Sequence, residues 1–122
     1  MNQIVHDRPE QLALIQAGLL QGEIVYAVYD CIGVGTGFVG ITDKRVVIQD
    51  KSFVGGKMAI TSVPYKNIRS VSMVSNKSML GKFASTSSIA INTGGGVQQA
   101  DFRGDEKARH AHDLILWNML QA

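Results

Sequence analysis

The chain has 122 residues, of which 45% are hydrophobic and 18% are charged, a balance typical of one globular domain and unlike that of a disordered segment. A formal net charge of +2, from 12 basic and 10 acidic residues, is too even to favour nucleic acid as a partner, because phosphate backbones require concentrated positive charge. The single cysteine, Cys31, excludes an internal disulfide. The N-terminus lacks a signal-peptide pattern, and no apolar run approaches the roughly 20 residues that span a bilayer, which predicts a cytoplasmic domain.

The first predicted element is a helix in an N-terminal extension, residues 7–21. Asp7 and Glu10 have the spacing of a capping box, and Gly22 is placed to end the helix in the left-handed conformation. Three apolar residues share one face of this helix: Leu12, Ile15 and Leu19. The pattern predicts a helix that lies on the core of its own domain.

Short strands are predicted to follow from residue 23 to residue 103. The segments in chain order are EIVYAVYDCI, GFVGIT, RVVIQDK, KMAITSV, IRSVSMV, SIAINT and VQQADFR. They are rich in β-branched and aromatic residues, and most of their links have hairpin length. Pro64 marks a strand end, because proline cannot donate to a sheet ladder. The polar stretch SNKSMLGKFASTSS is predicted as a loop between the fifth and sixth strands. The fold class is therefore mainly β with helices, a seven-stranded antiparallel barrel or roll.

The last predicted element is a helix from about Glu106 to Leu120, with Asp105 as its cap. One narrow apolar stripe consists of Ala108, Ala111, Ile115 and Met119. A second apolar set lies mostly off this stripe: Leu114, Trp117 and Leu120. One side of the helix can close the barrel, so the other side needs a second cover, either the N-terminal helix or another chain.

The sequence contains a G-x-G-x-x-G pattern at Gly35, Gly37 and Gly40. A phosphate cradle requires a helix directly after its glycines, because the helix N-terminus supplies the N–H groups and the favourable dipole. Here the glycines are followed by segments of strand composition with no helical periodicity. We therefore predict no nucleotide site, and Gly40 is predicted to permit a bulge or a close approach to the backbone.

Catalytic and metal-binding patterns are equally weak. His110 and His112 are two residues apart on a predicted helix, so they project to nearly opposite sides and cannot jointly bind one metal ion. Cys31 has no basic neighbour in the sequence and is predicted to pack as a small apolar residue. We predict no catalytic residue, no cofactor and no metal site.

The order of several short motifs resembles that of the bacterial pleckstrin-homology-like domains. "GE" precedes the first strand, and "GITDKRVVI", "SVPYKNIRSVSM" and a terminal amphipathic helix follow in series. In such domains a T-[DN]-x-R turn and an IPY-x-x-I step recur. The matching positions are Thr42, Asp43, Arg45, Val63, Pro64, Tyr65 and Ile68. The resemblance implies one domain over residues 1–122, with a barrel core at residues 22–120, two nearly orthogonal sheets and a closing C-terminal helix.

The residues of these motifs are predicted to build the fold. Thr42 and Asp43 offer oxygens that can accept backbone N–H groups in a tight turn. Arg45 can hold a carbonyl or a carboxylate, and Tyr65 can bury its ring while its hydroxyl reaches polar groups. In eukaryotic relatives, basic residues around the loop between the first two strands hold phosphoinositide headgroups. The corresponding loop here, DCIGVGTG, has no basic residue, which argues against that site.

Two functions remain open, and the resemblance implies that both are non-catalytic. The first is self-assembly or protein contact, as a homo-oligomer or with an unidentified protein. Its predicted surface comprises Leu14, Leu114, Trp117 and Leu120. The second is peripheral binding to membrane lipid through a loop of mixed basic and apolar residues: Lys77, Met79, Leu80, Lys82 and Phe83. The alternative for this loop is that its apolar residues fold onto the barrel.

Overall fold

A computed structural model describes residues 3–33, 35–51, 58–78 and 81–122, with side chains described outside 75–78 and 81–85. The elements in chain order are β1 Val5–His6, α1 Pro9–Ala17, β2 Val25–Asp30, β3 Thr36–Thr42, β4 Arg45–Asp50, β5 Ala59–Pro64, a 3-10 turn Tyr65–Asn67, β6 Ser70–Ser78, β7 Gly81–Asn92, β8 Val97–Phe102 and α2 Asp105–Gln121.

The strands form two sheets, one of five strands in the order β1-β2-β3-β4-β5 and one of three in the order β6-β7-β8. All pairs are antiparallel except β1 with β2, which is parallel over two residues. The predicted class, mainly β with a C-terminal helix, is confirmed, although the described part of the chain has eight strands where seven were predicted. β1 was missed because two residues carry no alternation, and their pairing depends on β2.

The main core lies between the two sheets and under α2. It includes Tyr29, Ile41, Ile48 and Phe102, and α2 adds Ala108, Ala111 and Ile115, which are fully buried. The predicted stripe on α2 therefore closes the barrel, as expected. The sheets meet beside β8, where Ile32 bridges to Asp101 and the Thr36 hydroxyl donates to the Gln99 carbonyl at 2.8 Å.

A second apolar cluster lies on the outer face of the five-stranded sheet, under α1. Ile15 packs there with Val25, Val28, Phe38 and Val47, and Leu12 and Leu19 border the cluster. The predicted apolar face of the N-terminal helix is thus confirmed. Since α1 covers one side and the core covers the other, every residue of β3 is buried.

Gly40 lies where α1 crosses β3. A methyl group at this position would come within 2.6 Å of Ile15 Cδ1, so the glycine allows the helix to approach the strand closely. The predicted close approach is confirmed. The segment after Gly35, which was predicted as a strand rather than a helix, forms β3.

Both predicted boundaries of the N-terminal helix are wrong. The N-cap of α1 is Arg8, without a side-chain cap, because Asp7 accepts the Asp30 N–H at 2.9 Å and pairs with Lys107 Nζ at 2.9 Å instead. The C-cap of α1 is Gly18, while Gly22 takes its positive φ of 80° in the following turn. Longer-range contacts of Asp7 were thus preferred over local capping.

At the start of α2, Gly104 occupies the N-cap with a φ of 110°. Asp105, predicted as the cap, is the first helical residue, and its carboxylate accepts a hydrogen bond from the Ser87 hydroxyl. The glycine is suited to this position because a side chain would strain the backbone at that φ. The predicted cap is therefore wrong by one residue.

The predicted loop after the fifth strand is also wrong. β6 and β7 continue through it as a long antiparallel hairpin, with Asn76 opposite Thr86 and Ser78 opposite Gly81. Alternation could not reveal this extension, since its sequence is polar and much of it pairs only within the hairpin.

Candidate functional site

The Thr42–Arg45 motif forms the two-residue turn between β3 and β4. Thr42 Oγ1 accepts the N–H groups of Lys44 and Arg45, each at 3.0 Å. Asp43 Oδ1 accepts the N–H of Ile24 at 2.8 Å, which ties the turn to the segment before β2. The motif thus holds its own turn and a neighbouring chain segment.

Arg45 forms the centre of a polar cluster with Glu23. Its Nε and Nη2 donate to the two carboxylate oxygens of Glu23, both at 2.9 Å. Nη1 also donates to Ser62 Oγ, and Nη2 to the Gly18 carbonyl, each at 2.8 Å. Arg45 therefore links β4, β5, the end of α1 and the segment before β2.

The carboxylate of Glu23 is fully buried. Burial alone raises its pKa, but hydrogen bonds from Arg45, Thr42 and the Leu20 N–H outweigh burial, and the net effect is a lowered pKa. In the sequence, Glu23 was recognised only as part of the "GE" motif, and its ion pair with Arg45 was not predicted. The signal that could have found it is an acidic residue directly before a strand, with an arginine in the next hairpin.

Tyr65 and Ile68 are both buried below the turn. The Tyr65 hydroxyl donates to the Thr42 carbonyl at 2.5 Å, and burial raises the pKa of this phenol. Pro64 is the last residue of β5. The family-motif residues thus form one connected structural unit at this end of the barrel.

The histidines and the cysteine do not form a shared reactive centre. Tyr29 Oη and His110 Nδ1 share a hydrogen bond of 2.5 Å, whereas His112 contacts Asp113 at 2.9 Å. Cys31 is buried, and burial raises the pKa of its thiol to about 12. Within the part of the chain that the structure describes, no group of three or more His, Cys, Asp or Glu residues could hold a metal ion.

The C-terminal half of α2 carries an exposed apolar strip, here called the α2 patch, formed by Leu116, Trp117 and Leu120. Their side chains are 37%, 62% and 72% exposed, respectively. Leu114, predicted for this surface, instead packs half-buried against the core. It lies next to Ala111 on the helix surface, so it borders the buried stripe. Leu116 was missed, although its spacing to Trp117 and Leu120 places it on the same face.

Leu14 belongs to a different surface. It is half-exposed on α1 and lines a small groove of about 140 Å³ with Ile60 of β5, above Val47. The predicted interaction surface is therefore divided between the outer face of the five-stranded sheet and α2.

A larger cleft of about 380 Å³ lies beside the last turns of α2. We call it the helix-end cleft. Its walls include Asp43 and Lys44 of the β3–β4 turn, Pro64, Tyr65 and Lys66 after β5, and Asn118 of α2. Sequence reasoning did not anticipate this cleft, because its residues are separated by 74 positions between Lys44 and Asn118.

The residues of the predicted lipid-binding loop are distributed over the long hairpin. Lys77 lies in β6, and Lys82 and Phe83 lie in β7. Met79 and Leu80 lie outside the described residues. β8 pairs with β7 only from Ser87 to Asn92, so the outer part of β7 pairs with β6 alone.

The sequence model of the bacterial PH domain family matches residues 21–115, and the chain therefore belongs to that family. Among solved structures, it is similar to a pleckstrin homology domain from Shewanella amazonensis SB2B, with 20% identity, 93% of this chain and 99% of that chain covered, and a TM-score of 0.65. At this identity the similarity establishes the fold. No curated protein matches the chain significantly. Neither helix of the described ranges has the length and apolar content needed to cross a bilayer.

Proposed function

We propose that the chain is a non-catalytic interaction module that forms a homo-oligomer through the α2 patch. The observation that carries this proposal is the exposure of Leu116, Trp117 and Leu120 in succession on a helix whose opposite face is fixed in the core. Membership of the bacterial PH domain family supports a binding role, since the fold is used for contacts rather than for chemistry. The patch itself must carry the specific argument, because fold alone does not define function.

The geometry of the patch suits a contact between two copies. Leu116, Trp117 and Leu120 cover about 100° of the helix surface, and a two-fold axis near Leu116 and Trp117 would place the patch of one copy against that of the other. Asp113 borders it with an exposed carboxylate, and polar residues commonly surround the apolar centre of an interface.

The energetics favour a weak oligomer. Complete burial of one such side chain stabilises by about 1.5–3 kcal/mol. The six side chains of two copies are only partly exposed, so their burial contributes roughly 5–10 kcal/mol in total. Association costs about 4–15 kcal/mol in lost motion before any other contact is counted. We therefore expect a concentration-dependent oligomer rather than a permanent one.

Light scattering on the full chain over a range of concentrations tests this proposal. We expect a mass above that of the monomer, which Leu120→Ala returns towards the monomer. Leu20→Ala is the matched control, because Leu20 is 64% exposed and lies outside the patch. A monomer at every concentration, or an equal effect of the two substitutions, would contradict the proposal.

The second candidate function is binding to an anionic membrane surface through the outer part of the β6–β7 hairpin. The observation that favours it is the length of this hairpin, which continues beyond the last residue paired with β8. Its sequence carries Lys77, Lys82 and Phe83, and basic residues beside apolar ones suit an anionic interface.

Sedimentation with vesicles distinguishes this candidate. Binding to phosphatidylglycerol vesicles, absent with phosphatidylcholine and reduced by Lys77→Gln with Lys82→Gln, is the expected result. Equal recovery with both lipids, or no loss in the double variant, would reject lipid binding through this hairpin and leave self-association unaffected.

A further inference from the structure

Among the residues that the structure describes, β5 forms an uncovered edge of the five-stranded sheet. It is the last strand in the sheet order and pairs with β4 alone. Alternate N–H and C=O groups of an edge strand point away from its neighbour, so they can pair with a further strand. The other sheet edges in the described ranges differ. β1 has only two residues, α2 packs against β6, and β8 is joined to the first sheet through Ile32.

β5 also lacks the features that usually protect an edge strand. Native edges are commonly blocked by charged side chains, prolines or bulges. The segment 59–63, with the sequence AITSV, carries no charge, and Pro64 comes only at the end of the strand. The pairing with β4 runs without a register shift from Arg45 opposite Pro64 to Asp50 opposite Ala59. The edge is therefore regular, uncharged and open to strand pairing.

The side chains of β5 indicate which strand would fit this edge. Ile60 and Ser62 both line the groove of about 140 Å³ beside Leu14, on the outer face of the sheet. Ile60 is 53% exposed on this face, whereas Ser62 has a small side chain beside the groove. β5 therefore carries an exposed apolar side chain and, two residues later, a space that can receive one.

We propose that two copies of the chain pair through their β5 edges, antiparallel and about a two-fold axis at Thr61. In this register Ile60 of each copy lies opposite Ser62 of the other. Directly opposed residues project to the same face, so Ile60 of each copy reaches over Ser62 of the other towards Leu14. A two-fold contact places the residue at the axis next to its own copy, and an uncharged strand allows this without repulsion between like charges.

This contact does not depend on the α2 patch, because it uses a different element of the fold. The five-stranded sheets of two copies would join into one continuous sheet across the axis. A chain with two self-complementary surfaces can form assemblies larger than a dimer. Pairing through β5 would therefore extend the association that we propose for α2.

Charge substitutions at Thr61 test the proposed register. Thr61 is exposed, and the axis places it opposite itself, so Thr61→Lys or Thr61→Glu would set two like charges side by side. All variants also carry Leu120→Ala, which weakens any contact through the α2 patch. The mass of each full-length chain is followed by light scattering as its concentration rises, and the thermal midpoint checks that the fold is retained.

We expect the chain with Leu120→Ala alone to dimerise as its concentration rises. Thr61→Lys and Thr61→Glu should each move this transition to about fivefold higher concentration or more, and an equimolar mixture of the two variants should dimerise again because opposite charges then meet. Ile60→Ala should weaken the dimer about tenfold without adding charge. Ser72→Lys, an exposed change on the other sheet, is the control and should leave the transition unchanged.

The proposal is overturned if the chain with Leu120→Ala stays monomeric at every concentration, if Thr61→Lys and Ser72→Lys have equal effects, or if the mixture of the two charged variants remains monomeric. The same substitutions in the chain with native Leu120 separate the two contacts. A mass that falls with Leu120→Ala but not with Thr61→Lys would support the α2 patch and reject pairing through β5, and the reverse result would support β5 and reject the α2 patch.

Discussion

The ion pair of Glu23 with Arg45 gives the most quantitative test of how the fold is stabilised. Glu23→Gln keeps the shape of the side chain but removes its charge. The carboxylate now accepts four hydrogen bonds, two from Arg45, one from Thr42 and one from the Leu20 N–H. A glutamine can accept at one end only, so its amide nitrogen would face two donors at the other end.

The expected cost follows from this geometry. Losing two hydrogen bonds to a charged group costs about 3–6 kcal/mol, and the variant recovers part of this because it no longer buries a carboxylate. Arg45 retains 19% exposure of its side chain, so water can partly solvate it after the change. We therefore expect the free energy of unfolding to fall by about 2–4 kcal/mol at neutral pH.

Urea unfolding at several pH values checks both the magnitude and its cause. The pKa of Glu23 is lowered in the folded chain from an ordinary value of 4.5, so the charged form favours folding. Its contribution is complete above that ordinary value and is lost as the pH falls through the lower, folded pKa. The difference between wild type and Glu23→Gln should therefore be largest at neutral pH and should shrink in acid.

Glu10→Gln is the control, because Glu10 is an exposed carboxylate that also pairs with an arginine, and it should leave the urea midpoint nearly unchanged. The reasoning is refuted if Glu23→Gln costs less than about 0.5 kcal/mol, the ordinary range for surface substitutions. A difference that stays constant down to low pH would likewise show that the charge of Glu23 is not the cause.

Two further predictions concern packing. Gly40→Ala should lower the free energy of unfolding by about 1–3 kcal/mol, because its methyl group would overlap Ile15 Cδ1. Ile15→Val removes that atom, so the double variant should lose less stability in urea unfolding than the sum of the two single losses. Strictly additive losses would contradict the close approach of Ile15 to Gly40. Cys31 should resist alkylation in the folded chain and react once the chain is unfolded, since its thiol is buried and its pKa is raised to about 12. Rapid labelling of the native chain at neutral pH would contradict this and show that the segment directly after β2 opens readily.

Local chemistry explains which parts of the fold could be predicted from the sequence. The turn at Thr42–Arg45 was predictable because its hydrogen bonds connect residues two and three positions apart. The strand after the glycines was predictable because Gly40 lies among β-branched and aromatic residues with no helical period. In β6, Val71 and Met73 alternate with serines, and these two apolar residues pack against the core.

The missed features depend on contacts between distant segments. β1 is defined only by its pairing with β2. Asp7 does not cap α1 as predicted, because its carboxylate contacts Asp30 and Lys107. The outer hairpin is held by the β6–β7 ladder rather than by an apolar face. The helix-end cleft also needed the structure, because its walls come from the β3–β4 turn, the residues after β5 and the end of α2.

Self-association through α2 can be tested most directly by fluorescence, because Trp117 is the single tryptophan of the chain and it lies within the α2 patch. Emission and acrylamide quenching should be recorded as the full-length chain is diluted from the highest attainable concentration to the lowest detectable one. If two copies cover the patch, emission should move to longer wavelengths and quenching should increase on dilution, and Leu120→Ala should shift this transition to higher concentration. Long-wavelength emission and strong quenching at every concentration would mean that Trp117 stays in water, and would contradict self-association through this helix.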